Sequence, residues 1–171
     1  MTFTFETVDV VTTTTGKLGA APGSQAKRAA GRIETVMNGL YTVTFADRRY
    51  WGDYGDAWSL FDETAAEGAE ADVDVLTLGA EANDVYDTIT PEDTMLTITV
   101  LTNESARPIS AIAEVAFAAS TALGDGTATT VVSEGSYFLR PTEDGWVIYA
   151  YRVDREEDAA SPSPSAEASP S

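Results

Sequence analysis

Along residues 94–102 apolar and hydroxyl-bearing positions alternate, with Leu96, Ile98 and Val100 set against Thr97 and Thr99. A period of two marks a strand with one buried face. The pattern returns in residues 109–122, where Ala111, Ala113, Val115, Phe117 and Ala119 oppose a more mixed face. Gly124-Asp125-Gly126 then turns the chain into a strand over 127–140, and Glu143-Asp144-Gly145 turns it again into 146–154. A shorter strand is predicted over 85–90, ending at Pro91 because proline cannot donate to a ladder. Long strands joined by short turns read as an antiparallel meander.

The amino-terminal half has a different period. Ile33, Met37, Leu40, Tyr41 and Phe45 recur at spacings of three and four, which predicts a helix from residue 25 to about 46 with Ser24 as N-cap. Gly31 and Gly39 each weaken that helix by roughly 1 kcal/mol relative to Ala, so both are expected where it packs closely on the sheet. A short helix over 53–61 carries Trp58 and Phe61. Thr64 and Glu67 have the spacing of a capping box, predicting a third helix over 65–78 that stops at Gly79, with Ala66, Ala69, Val73 and Leu76 inward. Before all of these, residues 2–14 are rich in Thr, Val and Phe and favour extended backbone. Phe3 and Phe5 share a face out of phase with Val8 and Val10, for which a bulge would account. Residues 16–23 read as a loop.

These elements predict an α+β fold: amino-terminal helices packed on a curved antiparallel β-meander, with an extra amino-terminal strand. The expected division is a strand and loop over 1–23, a cone-like domain over 24–158, and a Ser/Pro/Ala tail over 159–171 too poor in apolar residues to order itself.

Composition narrows the chemistry. The 171 residues are 43% hydrophobic, ordinary for a globular domain, but 28 Asp and Glu face only 10 Lys and Arg, a formal net charge of −18. Such a field repels phosphate backbones, so nucleic acid is not an expected partner. The chain has no cysteine and no histidine. It therefore lacks thiolate nucleophiles, Cys-based zinc sites, the commonest general base and every Ser-His or Cys-His relay. Catalytic residues, metal ligands and cofactors are accordingly expected to be none. No apolar run reaches the length of a membrane span, so no membrane insertion by this segment is expected. The first six residues lack the basic and apolar parts of a signal peptide, and the chain as written is expected to be cytoplasmic. A start on a strand and a Ser/Pro tail also fit an extracytoplasmic or membrane-anchored protein whose true start lies upstream.

Several local motifs resemble the cone-shaped nuclear transport factor two-like (polyketide-cyclase-like) superfamily. They are Asn38-Gly39-Leu40-Tyr41, Arg49-Tyr50-Trp51, the run from Gly135 to Arg140, and Asp144-Gly145-Trp146-Val147-Ile148. Over residues 32–155 the chain is similar to uncharacterised actinobacterial extracytoplasmic accessory domains of the mammalian-cell-entry-associated type. The resemblance implies a cone that in the enzymes is a ligand pocket with an Asp or His base, and a sheet face that commonly pairs two copies. These are packing motifs, and they carry no chemistry of their own.

Two constellations remain. Helices packed on the meander would bring many aromatics together, and a pocket lined by Tyr41, Phe45, Trp51, Trp58, Tyr137 and Tyr149 with Glu114 could hold an apolar ligand. The competing expectation is that these rings fill the core. Glu114, Glu134, Arg140 and Arg152 are the strand-borne candidates for acid–base work without histidine. Alternation puts Glu114 with Ile112 and Ala116, opposite Val115 and Phe117, so an inward carboxylate and an exposed one paired with Arg140 or Arg152 both stay open. The second constellation is acidic. Between Arg49 and Arg107 there are fourteen carboxylates and no Lys or Arg. Asp62, Glu63, Glu67, Glu70 and Asp74 form its expected face, a contact for a basic partner more than a cation site, since calcium-loop spacing is missing. The leading expectation is a non-catalytic binding or accessory module acting through a sheet face or the acidic helical face, on a protein partner or as a homodimer. The alternatives are a small apolar-ligand-binding or acid–base enzyme using the cone, and the folded end of a surface-anchored structural protein.

Overall fold

Alternation alone cannot say which strand lies beside which; the computed structural model, which describes residues 2–14, 17–18 and 23–159, supplies that order. The strands are β1 (Thr7–Thr14), β2 (Lys17–Leu18), β3 (Tyr86–Thr102), β4 (Pro108–Leu123), β5 (Ala128–Pro141) and β6 (Trp146–Ala159). They form one six-stranded sheet in the order β2-β1-β3-β4-β5-β6. β3 to β6 are the antiparallel meander, and β1 joins β3 in parallel, from Thr7 opposite Met95 to Thr14 opposite Thr102. The predicted loop over 16–23 and tail over 159–171 fall largely outside the described residues; of them, Lys17–Leu18 and Ala159 are in strands and Gly23 caps a helix.

β3 does not stop at Pro91, as predicted, but runs through it with a register shift between Pro91 and Asp93. The reason is positional. β1 pairs with β3 only from Met95 onward, so at Pro91 that side of β3 is a free edge, where a missing N–H leaves no partner unsatisfied.

Helix α1 (Ser24–Tyr41) lies across the sheet with Ile33, Met37, Leu40 and Tyr41 at most 1% exposed. Its N-cap is Gly23, with no side-chain cap, so Ser24 is its first residue and not the cap. The expected continuation to residue 46 is present as a π-turn over Thr42–Ala46. Thr42 and Thr44 donate their hydroxyls to the carbonyls of Asn38 and Leu40, at 2.7 and 2.8 Å, and compete there for the helical ladder. Gly39 faces Leu60, whereas Gly31 is exposed with nothing within 4 Å of an added Cβ, contrary to the close packing expected of it.

A 3₁₀ turn (Arg48–Tyr50) and four short helices follow: α2 (Gly55–Trp58), α3 (Glu63–Ala71), α4 (Val73–Leu76) and α5 (Ala82–Val85). The predicted third helix is thus two, broken at Asp72, and begins two residues early. Asp62 is the cap, accepting from the Ala65 N–H at 2.9 Å, in place of the expected Thr64 box. Ala69 and Leu76 are buried as expected, but Ala65 takes the inward place given to Ala66, and Val73 is half-buried. Phe61 bridges Ile148, and Asp62 N–H donates to the Ile148 carbonyl at 2.8 Å, fastening this helical segment to β6.

The phase break before β1 is not a bulge. Phe3 and Phe5 precede the strand, and their N–H groups donate to Thr42 Oγ1 and Asn38 Oδ1 on the helical layer, at 2.9 and 3.3 Å. Both rings are buried there; Glu6 N–H then reaches Thr94 on β3 and the strand begins.

Candidate functional site

Burial divides the expected pocket residues into separate groups. Tyr41, Phe45 and Tyr137 meet at the centre of the domain, each at most 1% exposed. Tyr41 stacks on Phe45 at 5.3 Å between ring centroids, and Phe117, Phe5 and Phe3 close around it at 5.2, 5.2 and 6.3 Å. The space a ligand would need is taken by Phe117 from β4 and by the two phenylalanines of the amino terminus. The hydroxyls that could have oriented a ligand satisfy one another: Tyr41 Oη lies 3.1 Å from Ser133 Oγ and 3.5 Å from Tyr137 Oη. Burial raises the pKa of both phenols, Tyr137 well above the ordinary value, so neither is poised as a base.

Trp51 adjoins this cluster, its indole N–H donating to the Phe45 carbonyl at 2.9 Å, while its ring turns towards Tyr86. Trp58 belongs elsewhere, between Tyr54 and Phe61. Glu114 and Tyr149 do not join the others. Both are exposed on the outer sheet face, away from α1, with Tyr149 against Phe138 at 6.4 Å. Glu114 shares a shallow depression there with Glu134, Arg152 and Asp154 around Gly135. Arg140 is diverted from that group and binds Asp62 at 3.1 Å. The inward carboxylate required by the acid–base alternative is therefore not supplied by Glu114. The same outer face exposes Val11 and Met95 and half-exposes Ile112 and Phe138; Val11, Ile112 and Phe138 lie in one row across the strands, with Thr99 between the first two.

The acidic face is assembled in part. Glu63, Glu67 and Glu70 recur at four and three residues along α3, opposite buried Ala65 and Ala69, and all three are exposed. Asp74 continues the exposed charge on α4. Asp62 does not share this role, being engaged by the Ala65 N–H and Arg140. Among the described residues no three Asp or Glu side chains converge in a way that could hold a metal ion.

One polar cluster had no sequence signal, since its members lie up to 71 residues apart. Tyr86 donates to Glu157 at 2.6 Å, Arg155 donates to both Tyr86 and Glu157 at 2.9 Å, and Thr129 donates to Glu157 at 3.0 Å. Arg155 also donates to the Asp74 carbonyl at 3.1 Å, tying α4 to the far end of β6. Desolvation, then the bond to Glu157, pushes the Tyr86 phenol up to about 12. A tyrosine so held stays protonated and structural at neutral pH.

Fold and surface together define an α+β domain with a side-chain-filled core, helices on one sheet face and an open outer face. No family model matches the chain, and no curated protein and no solved structure matches it. Among the described residues no helix is long and apolar enough to cross a membrane.

Proposed function

We propose that the chain is a non-catalytic binding module, built on a cone of the nuclear transport factor two-like kind, that contacts its partner through the outer sheet face. The single observation carrying this reading is that the interior is occupied by Tyr41, Phe45, Phe117 and Tyr137, while Glu114 lies outside with the exposed apolar row. With those rings packed at its centre, the domain meets a partner through its surface. The row Val11–Thr99–Ile112–Phe138, one residue from each of β1, β3, β4 and β5, crosses four neighbouring strands and is the kind of surface on which a second sheet packs. Glu114 and Arg152, both exposed beside it, give a two-fold contact opposite charges to pair. A second copy of the chain is the partner this arrangement fits. The acidic face of α3 is left free in such a pair for a basic partner.

Sedimentation equilibrium of wild type and the Phe138→Glu variant tests this. The wild type should associate reversibly to a dimer, and the variant should remain monomeric with an unchanged circular dichroism spectrum. A monomeric wild type over the whole accessible concentration range removes the sheet-face contact. Binding of a lysine decamer, lost in a Glu63→Gln/Glu67→Gln/Glu70→Gln variant, would then move the role to the acidic helix.

A further inference from the structure

Basic residues are scarce in this chain, yet three of the ten line one cleft that has no carboxylate in its wall. Arg28 and Arg32 come from α1, one turn apart on one side of the helix, and Arg107 comes from the loop between β3 and β4. Trp146 at the start of β6, with Pro108 and Pro141, forms the apolar part of the wall. The cleft is open to solvent and offers about 320 Å³.

The pairing of the arginines is the telling feature. Arg49, Arg140 and Arg155 each lie within 3.1 Å of a carboxylate, and Arg48 donates to the Asp87 carbonyl. Among the described residues the guanidinium groups of Arg28, Arg32 and Arg107 have no such partner, and while Arg152 has none either, it lies beside Glu114, Glu134 and Asp154, whereas no carboxylate lines this cleft. Arg28 and Arg32, at i and i+4 on α1, also repel each other, and a bound anion would relieve that repulsion.

We propose that this cleft is a binding site for a small organic anion, with a carboxylate or phosphate head held by Arg28, Arg32 and Arg107 and an apolar group laid against Trp146 and the prolines. Guanidinium forks match both heads through paired charge-assisted hydrogen bonds. Size follows from the surrounding charge. A polyanion or an anionic membrane would meet the field of the whole acidic surface, whereas a ligand confined to one cleft, within a Debye length of three arginines, feels mainly their charge. The far side sets a further limit. Beyond Arg32 and Trp146 an adjoining cleft carries Glu143 and Asp144, so a ligand with a second anionic group at its other end is rejected. None of the residues lining this cleft belongs to the outer-face row or to α3, so its test is independent of theirs.

Calorimetric titration of the full chain with phenyl phosphate, benzoate and benzyl alcohol tests the proposal. The two anions should give saturable binding and the alcohol none. Arg28→Gln and Arg32→Gln should each weaken phenyl phosphate by about tenfold, the scale of one charged hydrogen bond. Arg48→Gln, an equal charge change away from the cleft, should leave it unaltered, and Glu143→Gln should tighten it. Absence of saturable binding by both anions to millimolar concentration overturns the site, as does equal affinity in the Arg28→Gln/Arg32→Gln double variant. Co-sedimentation with phosphatidylglycerol vesicles, without binding of either soluble anion, would assign the arginines to a lipid surface and overturn it too.

Discussion

Gly135 and Gly31 have the same side chain and opposite structural meanings. At Gly135, on β5, an added Cβ would sit 2.2 Å from the Arg152 carbonyl oxygen and 2.6 Å from Val153 Cα on β6. Neither neighbour is a flexible side chain, so the strands would have to part. Gly135→Ala is expected to cost about 1–3 kcal/mol or more. Gly31 is exposed in the middle of α1 with open space where a Cβ would go, and Gly31→Ala is expected to gain about 0.4–1 kcal/mol. Urea unfolding of the two variants checks both signs at once; a neutral Gly135→Ala would contradict the tight approach of β6. The sequence flagged Gly31 and Gly39 through their helical position. It could not flag the crowding at Gly135, which depends on a strand arriving from elsewhere.

α3 starts two residues before its predicted start, and the cause is one side chain. Thr64 and Glu67 have capping-box spacing, but Asp62 caps the Ala65 N–H instead, its own N–H being fixed to β6 through the Ile148 carbonyl. Tertiary anchoring selected among two caps that local sequence leaves similar. Asp62→Ala should lower stability by about 1 kcal/mol, the usual value of an N-cap. Asp62→Asn keeps an acceptor for the Ala65 N–H and loses only the charge pairing with Arg140, itself half exposed, so its loss should be small. Thermal unfolding of both separates the roles; equal losses would mean that the ion pair, not the cap, matters here. β3 teaches the same lesson. Proline reads as a strand end until the structure reveals that β1 begins only at Met95, leaving Pro91 on an open edge.

For the whole molecule, phenols raised by desolvation set the response to alkali. Tyr41, Tyr54, Tyr86, Tyr137 and Tyr151 all have raised pKa values, with desolvation the largest cause in each. An unfolded tyrosine ionises near pH 10, so above that pH the unfolded chain releases protons that the folded chain still holds. The stability tied to these groups is therefore complete below about pH 10 and is lost as pH rises through the folded values. The thermal midpoint should fall steeply above about pH 10, and tyrosinate absorbance should lag in the native protein relative to urea. A midpoint flat across that range would contradict the burial of these rings. Asp47 has the opposite sign. The Arg49 guanidinium at 2.6 Å holds its carboxyl well below the usual range, so its contribution is present above about pH 4 and fades as pH falls.

The sequence by itself determined the fold class, the α1 stripe and the inward faces of β3 and β4. Those depend on period, and period is a local property of the chain. It also fixed the absence of histidine and cysteine, and with it the chemistry that cannot occur. Only the tertiary structure decided which of the remaining side chains meet. It filled the centre with Phe3 and Phe5 from a segment read simply as extended, turned Glu114 outward, and built the Tyr86–Arg155–Glu157 cluster from distant strands. It also gathered three unpaired arginines from a helix and a loop into one cleft. Spatial convergence of residues far apart in the chain leaves no periodic trace, because it is set by strand order and by the path of α1 across the sheet.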